Sequence, residues 1–176
     1  MANVCSYDLK VVGKYEDVCN FYNCLIGEEA YEDNEMSTRI YDAECCKIEG
    51  FGSNTAFYIT GSCAWSVLSS FIDYHESDGI SILDFSKNHC LTLEFFSEEC
   101  GLEFAEHYII ENGLITTEEV AKYKEFYIED VEDDINSFLE DELVQEKGIT
   151  KENYKEKFST DDWLYLGGFV DAEFTI

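Results

Sequence analysis

Residues 54–74 constrain the fold more than any other stretch, because a strand pattern there leads directly into a helix pattern. Between Thr55 and Thr60, β-branched and aromatic residues alternate with a period of two, which is typical of a strand. Gly61-Ser62 interrupts the alternation, and its serine is a suitable helix N-cap. The residues that follow have helical spacing: Ala64, Leu68, Phe71 and His75, with Trp65 and Ile72 beside them. This junction predicts an α+β fold.

The rest of the first 117 residues completes the order β-α-β-β-α-β-β. The patterns predict strands at residues 4–12, 38–49, 91–95 and 102–110, and helices at residues 15–26 and 80–88. Asn112-Gly113 is a strong hairpin signal, so residues 114–116 are expected to pair back on the preceding strand. We therefore predict a ferredoxin-like β-α-β-β-α-β core with an extra hairpin strand.

The composition of the chain changes after residue 117. An apolar stripe at helical spacing predicts an amphipathic helix, formed by Val131, Ile135, Phe138, Leu139 and Leu143. Acidic residues surround this stripe: Glu129, Asp130, Glu132, Asp133, Asp134, Glu140, Asp141, Glu142 and Glu146. Thr150 is expected to cap a last helix, and residues 163–174 form an aromatic strand or hairpin. The predicted domains are thus a core (residues 1–117) and an acidic helical addition (residues 118–176) docked on it.

The charge is the strongest clue to function. The formal net charge is −28, from 39 acidic and 11 basic residues. Such a chain is not expected to bind free nucleic acid, because that affinity comes from Lys and Arg on phosphates. Solubility, high salt or a cationic partner would each give this charge a use. A solvated acidic face with no partner is the plainest alternative.

The eight cysteines do not indicate a metal or disulfide site. They contain no C-x-x-C pair, so zinc spacing is missing and no metal or cofactor is expected. The sequence has no signal-peptide pattern and no apolar run long enough for a membrane span. We therefore expect reduced, mostly buried thiols in a cytoplasmic protein with no membrane association.

Two arrangements could in principle carry catalysis. Gly61-Ser-Cys-Ala-Trp is superficially like the nucleophile segment of papain-type proteases, but no histidine base follows His107, so this hypothesis is rejected. His107 with Glu106 and Glu103, and Glu94 nearby, could form an acid–base pair of the kind that a metal-independent ribonuclease uses. Strand alternation places Glu106 and His107 on opposite faces, which favours a structural histidine instead.

Three passages together resemble a known group of proteins. They are Met1-Ala-Asn-Val-Cys-Ser-Tyr-Asp-Leu-Lys-Val-Val-Gly-Lys, Ile59-Thr-Gly-Ser-Cys-Ala-Trp-Ser-Val and Phe96-Ser-Glu-Glu-Cys-Gly-Leu-Glu-Phe-Ala-Glu-His-Tyr. The first two-thirds of the chain, roughly, resembles small ferredoxin-like proteins encoded on conjugative elements and phages of Gram-positive bacteria. Some mobile-element proteins of this kind are anti-CRISPR inhibitors of RNA-guided nucleases, so the resemblance implies such a role. It supplies no catalytic motif.

The resemblance and the charge together predict a non-enzymatic inhibitor. Its acidic surface would act as a nucleic-acid mimic, bind a basic nucleic-acid-handling protein such as an RNA-guided nuclease, and block DNA cleavage. Two alternatives stay open: an enzyme or cofactor protein that causes guide-RNA cleavage through His107, and an accessory protein-interaction module of a mobile element. The predicted contact residues are Glu129, Asp130, Glu132, Asp133, Asp134, Glu140 and Asp141 in the helix, and Glu28, Glu29, Glu32 and Asp33 in a loop.

Overall fold

The computed structural model describes residues 3–26, 36, 38–71 and 79–176, and within them seven strands form one sheet. The strand order is β2-β3-β1-β4-β5-β6-β7, and each neighbouring pair is antiparallel. The sheet is curled into a half-barrel. The strands are β1 (Val4–Gly13), β2 (Ile40–Phe51), β3 (Asn54–Ala64), β4 (Thr92–Glu99), β5 (Phe104–Glu111), β6 (Leu114–Tyr127) and β7 (Trp163–Gly167).

The helices of the described residues are few and mostly short. The longest is α1, and α2 begins at its N-cap Ser81, whose side chain accepts a hydrogen bond from the Asp84 backbone N–H. Three short helices follow β6, and 3₁₀ turns occupy Val67–Ser70 and Tyr154–Lys157. The α-helices are α1 (Tyr15–Ile26), α2 (Ile82–His89), α3 (Ile128–Asp133), α4 (Ile135–Glu140) and α5 (Glu142–Glu146).

The predicted ferredoxin-like α+β fold is wrong, because the structure is a curled antiparallel sheet with few helices. Of the helix expected after Gly61-Ser62, the described residues up to Phe71 contain one 3₁₀ turn, Val67–Ser70, and its predicted members Ile72 and His75 lie outside the described residues. β3 runs through Gly61-Ser62 because both residues pair with β1, and the Ser62 N–H and hydroxyl bond the Asp42 carboxylate. Ser66, and not Ser62, is the cap of the turn that follows.

The main core lies between the sheet and the first two helices. Leu9, Phe95 and Tyr108 from three adjacent strands are fully buried in it. Phe21 of α1 packs edge-on against Phe85 of α2, at 5.6 Å between ring centroids. We call this side of the sheet the helix face.

The opposite side, which we call the second face, is covered in part by a strap formed by residues 168–176. Ring contacts hold the strap to the sheet: Phe169 lies 5.8 Å and Phe174 lies 5.3 Å from Phe96 of β4. Gly168 begins the strap at a close approach, since a Cβ there would lie 2.8 Å from the Cβ of Ala105. The strap therefore shields Phe96 and its neighbours on the second face from solvent.

A second hydrophobic cluster lies between the last two strands and α3–α5. Leu164 and Leu166 of β7 contribute to it, with Val131, Phe138 and Val144 from the helices. The amphipathic stripe predicted for one helix is divided over three short ones. The predicted domain boundary at residue 117 falls inside β6, which belongs to the same sheet as the core.

Candidate functional site

His107 lies on the second face between two carboxylates. Its Nε2 atom is 2.9 Å from Oε1 of Glu94, and its Nδ1 atom is 2.9 Å from Oε2 of Glu119. The ring stacks on Phe96, with centroids 4.4 Å apart and planes 9° apart. Both contacts are hydrogen bonds to ionised carboxylates when the ring carries two protons and donates from both nitrogens. Each ring nitrogen of His107 is thus directed to a carboxylate of the chain itself.

Glu94 connects this histidine to the strap. Its side chain is fully buried. The Thr175 N–H and the Ile176 N–H donate to Oε2 at 2.7 and 3.0 Å, and the Thr175 hydroxyl donates to Oε1 at 2.9 Å. Burial acts to raise the pKa of Glu94, but the hydrogen bonds from His107, Ile176 and Thr175 outweigh it and hold that pKa below its ordinary value.

Glu106 lies on the helix face and cannot pair with His107. It accepts hydrogen bonds from the Ser66 hydroxyl at 2.7 Å, the Val67 N–H at 3.0 Å and the Ser97 hydroxyl at 2.9 Å. These donors hold the start of the 3₁₀ turn against β4 and β5. Glu106 therefore has a structural role in joining this turn to the sheet.

Glu103 is also separate from the histidine. It precedes β5 and forms an ion pair with Lys124, at 3.2 Å between charged atoms. The residues predicted as a catalytic group, His107, Glu106 and Glu103, thus have three different sets of partners.

Glu119 is the partner that the sequence did not indicate. The Asn112-Gly113 hairpin alone would pair His107 with Glu118, because Glu111 pairs with Leu114 and Ile110 with Ile115. A register shift after Ile110 moves the pairing by one residue and places Glu119 opposite His107. A bulge of this kind has no clear sequence signal.

The predicted acidic contact residues lie on α3–α5 and have unequal roles. Asp134 and Asp141 cap helices by accepting from the N–H groups of Ser137 and Leu143. Asp141 also pairs with Lys124, Glu132 with Lys155, and Glu142 with Lys122. Within the described residues, no side-chain partner occurs for the exposed carboxylates of Glu129, Asp130, Asp133 and Glu140.

The predicted loop contacts cannot be placed. Glu28, Glu29, Glu32 and Asp33 lie outside the residues that the structure describes.

The cysteines have no metal or nucleophilic arrangement in the described part of the chain. All eight are free thiols. Cys63 is buried opposite Cys5, and the hydrogen bond with Cys5 together with burial raises the pKa of the Cys63 thiol far above its ordinary value. No group of three or more His, Cys, Asp or Glu side chains there could hold a metal ion. Glu94 and Glu119 do not converge on one point, because they contact opposite nitrogens of His107.

Comparison with protein-family models, with curated proteins and with solved structures found no match. The resemblance to mobile-element proteins therefore stays a prediction from the sequence. Among the described residues, no helix has both the length and the apolar character that crossing a membrane would require.

Proposed function

We propose that this chain is a cytoplasmic inhibitor that binds a basic nucleic-acid-handling protein through an acidic surface. The preferred partner is an RNA-guided nuclease, because some mobile-element proteins of the kind that the sequence resembles are anti-CRISPR inhibitors. The acidic surface consists of the exposed carboxylates of residues 128–146. It would occupy a groove that normally holds a phosphate backbone, and long-range attraction would speed its association.

The observation that carries the proposal is the arrangement of charge on α3–α5. Residues 128–146 contain no basic residue, and their apolar side chains point inward to the second cluster. Three lysines from other segments neutralise part of the charge, at Glu132, Asp141 and Glu142. The carboxylates that remain without lysine partners are exposed to solvent: Glu129, Asp130, Asp133, Asp134, Glu140 and Glu146.

The test is a cleavage and pull-down assay with a purified guide-loaded nuclease. It compares the native chain with a triple variant of the acidic surface, Glu129→Gln/Asp130→Asn/Asp133→Asn. We expect the native chain to bind and inhibit, and the variant to need about tenfold more protein for half inhibition, which corresponds to about 1.4 kcal/mol. These three residues neither cap a helix through a side chain nor pair with a lysine among the described residues, so the fold should be retained.

A matched control removes the same number of charges elsewhere. Glu44, Glu111 and Glu118 are exposed on strands β2, β5 and β6. Their replacement by Gln should change inhibition less than twofold if position matters more than net charge. An equal loss of inhibition in the two triple variants would refute the proposal. So would the absence of inhibition with every nuclease tried.

The same assay tests the guide-cleavage alternative. After incubation, the guide RNA is run on a denaturing gel. Because both ring nitrogens of His107 contact carboxylates of the chain itself, we expect the guide RNA to stay intact. A guide that is shortened by the native chain but stays intact with His107→Ala would support the enzyme hypothesis instead.

A further inference from the structure

Four aromatic rings lie side by side on the second face of β6 and β7, beyond the strap. Tyr127 and Trp163 are directly opposite each other, with ring centroids 5.1 Å apart. Trp163 and Tyr165 are nearly parallel at 6.5 Å, and so are Tyr165 and Tyr123 at 6.4 Å. We call these four residues the aromatic platform.

Strand alternation explains why the aromatic platform is separate from the core. Leu164 and Leu166 of β7 point into the second hydrophobic cluster, so Trp163 and Tyr165 point to the other side of the sheet. Tyr123 is buried, but Trp163 and Tyr165 are 37% and 42% exposed. Cross-strand aromatic pairs stabilise a sheet without needing exposure. Two large exposed rings side by side therefore suggest an interaction surface.

Carboxylates border the aromatic platform. The Tyr123 hydroxyl donates to Oε1 of Glu125 at 2.9 Å. Burial, together with the charges of Asp8 and Glu125, raises the pKa of Glu98 despite a hydrogen bond from Tyr123. The pKa of Tyr165 is raised, chiefly by burial and then by the nearby Glu125, Cys100, Asp161 and Glu98. The environment of these rings is thus negative on more than one side.

No cation–π contact involves a ring of the aromatic platform within the described part of the chain, although Lys147 and Lys157 line a cavity together with Tyr165. The cation–π contacts of the described residues lie elsewhere: Lys10 and Lys47 are over Tyr58, and Lys155 is over Tyr154. Lys122 pairs with Glu142 of α5, and Lys124 pairs with the N-cap Asp141 and with Glu103 before β5. The ring faces of the platform are therefore not stacked against a lysine of the described residues.

We infer that the aromatic platform binds arginine side chains of the partner protein. A guanidinium group is planar, so it can stack on Trp163 or Tyr165 and donate to the carboxylates at the border. A lysine ammonium has the same charge but cannot stack in this way. Phosphates are disfavoured by Glu98, Glu125 and Asp161, so nucleic-acid bases are not the expected ligand. The identity of the partner rests on the proposed function, which this inference deepens by locating a second contact surface.

The inference predicts a preference for arginine over lysine at equal charge. Two fluorescein-labelled nine-residue peptides are compared by anisotropy at 0.15 M salt, one with four arginines and one with four lysines in the same positions. We expect the arginine peptide to bind at least about fivefold more tightly. In Trp163→Leu and in Tyr165→Leu, the two affinities should become equal within about twofold.

Phe51→Leu is the matched control, because Phe51 is the most exposed aromatic residue among those described and lies far along the sheet order, on β2. This variant should keep the arginine preference. Equal affinity of the native chain for both peptides would overturn the inference, and so would a preference that survives both platform variants. Tighter binding of a neutral oligosaccharide than of the arginine peptide would also overturn it.

Failure of the aromatic-platform inference and failure of the proposed function give different results. If the arginine preference depends on Trp163 but no nuclease is inhibited, the proposed function fails and the aromatic platform stands. If a nuclease is inhibited equally by the native chain and Trp163→Leu, the platform fails and the proposed function stands.

Discussion

Glu94 is a single charged residue in the apolar run Leu93-Glu94-Phe95-Phe96 of a central strand. An ionised carboxylate buried without donors would cost several kcal/mol, and a charge-assisted network offsets that cost. Here the donors come from His107 in β5 and from two residues of the strap. At the residue scale, one side chain thus joins adjacent strands to a segment that is distant in sequence.

Glu94→Gln should loosen the strap. The amide has one acceptor oxygen and no charge, so it cannot satisfy His107 and both strap N–H groups. We expect a loss of about 2–4 kcal/mol in the free energy of unfolding. Hydrogen exchange should become faster at the amides of Thr175 and Ile176. The measurements are urea unfolding and amide exchange by mass spectrometry.

Glu119→Gln is the control for this prediction, since Glu119 contacts the same ring but its side chain is 59% exposed. This substitution should lower the free energy of unfolding by less than about 1 kcal/mol. Because the pKa of Glu94 is lowered in the folded state, its stabilisation is present above the ordinary carboxyl pKa and is lost as pH falls through the lowered value. Strap exchange that is insensitive to both Glu94→Gln and acid would contradict this role.

At the scale of elements, the β5–β6 hairpin sets the position of α2 as well as the sheet register. Gly113 has a φ of +79°, and a Cβ there would lie 2.6 Å from the Leu83 carbonyl oxygen and 2.7 Å from the Lys87 Cβ. The turn therefore needs glycine for its backbone conformation and for the close approach of α2.

Gly113→Ala should separate these two requirements when it is compared with Gly148→Ala. Gly148 has a φ of +63°, but a Cβ at this position would have no neighbour within 4 Å among the described residues. Gly148→Ala should lose about 1–2 kcal/mol from backbone strain alone. Gly113→Ala should lose about 1–3 kcal/mol more, because α2 must shift. Urea unfolding measures both, and equal losses would show that the contact with α2 is unimportant.

The sequence predicts elements better than their connections. Helix α1 and the hairpin at Asn112-Gly113 follow from apolar spacing and turn residues, and the structure confirms both. The predicted start of a helix at Ser62 is wrong, because pairing with β1 and a bond to Asp42 keep residues 61–64 extended. Long-range pairing of this kind overrides local propensity.

The candidate sites were only partly predictable. Alternation placed Glu106 and His107 on opposite faces, and Glu94 was expected near His107. Glu119 required the bulge in β6, and the aromatic platform required the pairing of Tyr127 with Trp163 across 36 residues of sequence. Neither a bulge nor a distant strand pairing can be derived from local residue patterns.

For the whole molecule, charge opposes folding and favours the proposed partner. A net charge of −28 repels itself more strongly in the compact state than in the unfolded chain. Salt should therefore raise the free energy of unfolding, by on the order of 1 kcal/mol between about 0.05 and 0.5 M. Urea unfolding at several NaCl concentrations measures this, because urea itself adds no ions.

Inhibition should respond to salt in the opposite direction. Association with a basic partner should weaken as the Debye length falls below about 10 Å. An equal osmolality of a neutral solute is the control and should leave association unchanged. Stability that falls with salt, or inhibition that does not weaken with salt, would contradict the electrostatic basis proposed for the function of the molecule.

The strap also affects the order in which the molecule can fold. Glu94 and Thr175 are 81 residues apart in sequence, and bonds over such distances form late because the intervening chain must first be ordered. A nascent sheet of β1–β5 would keep Glu94 and Phe96 in contact with water. The second face is therefore complete only when residues 168–176 have docked on the sheet.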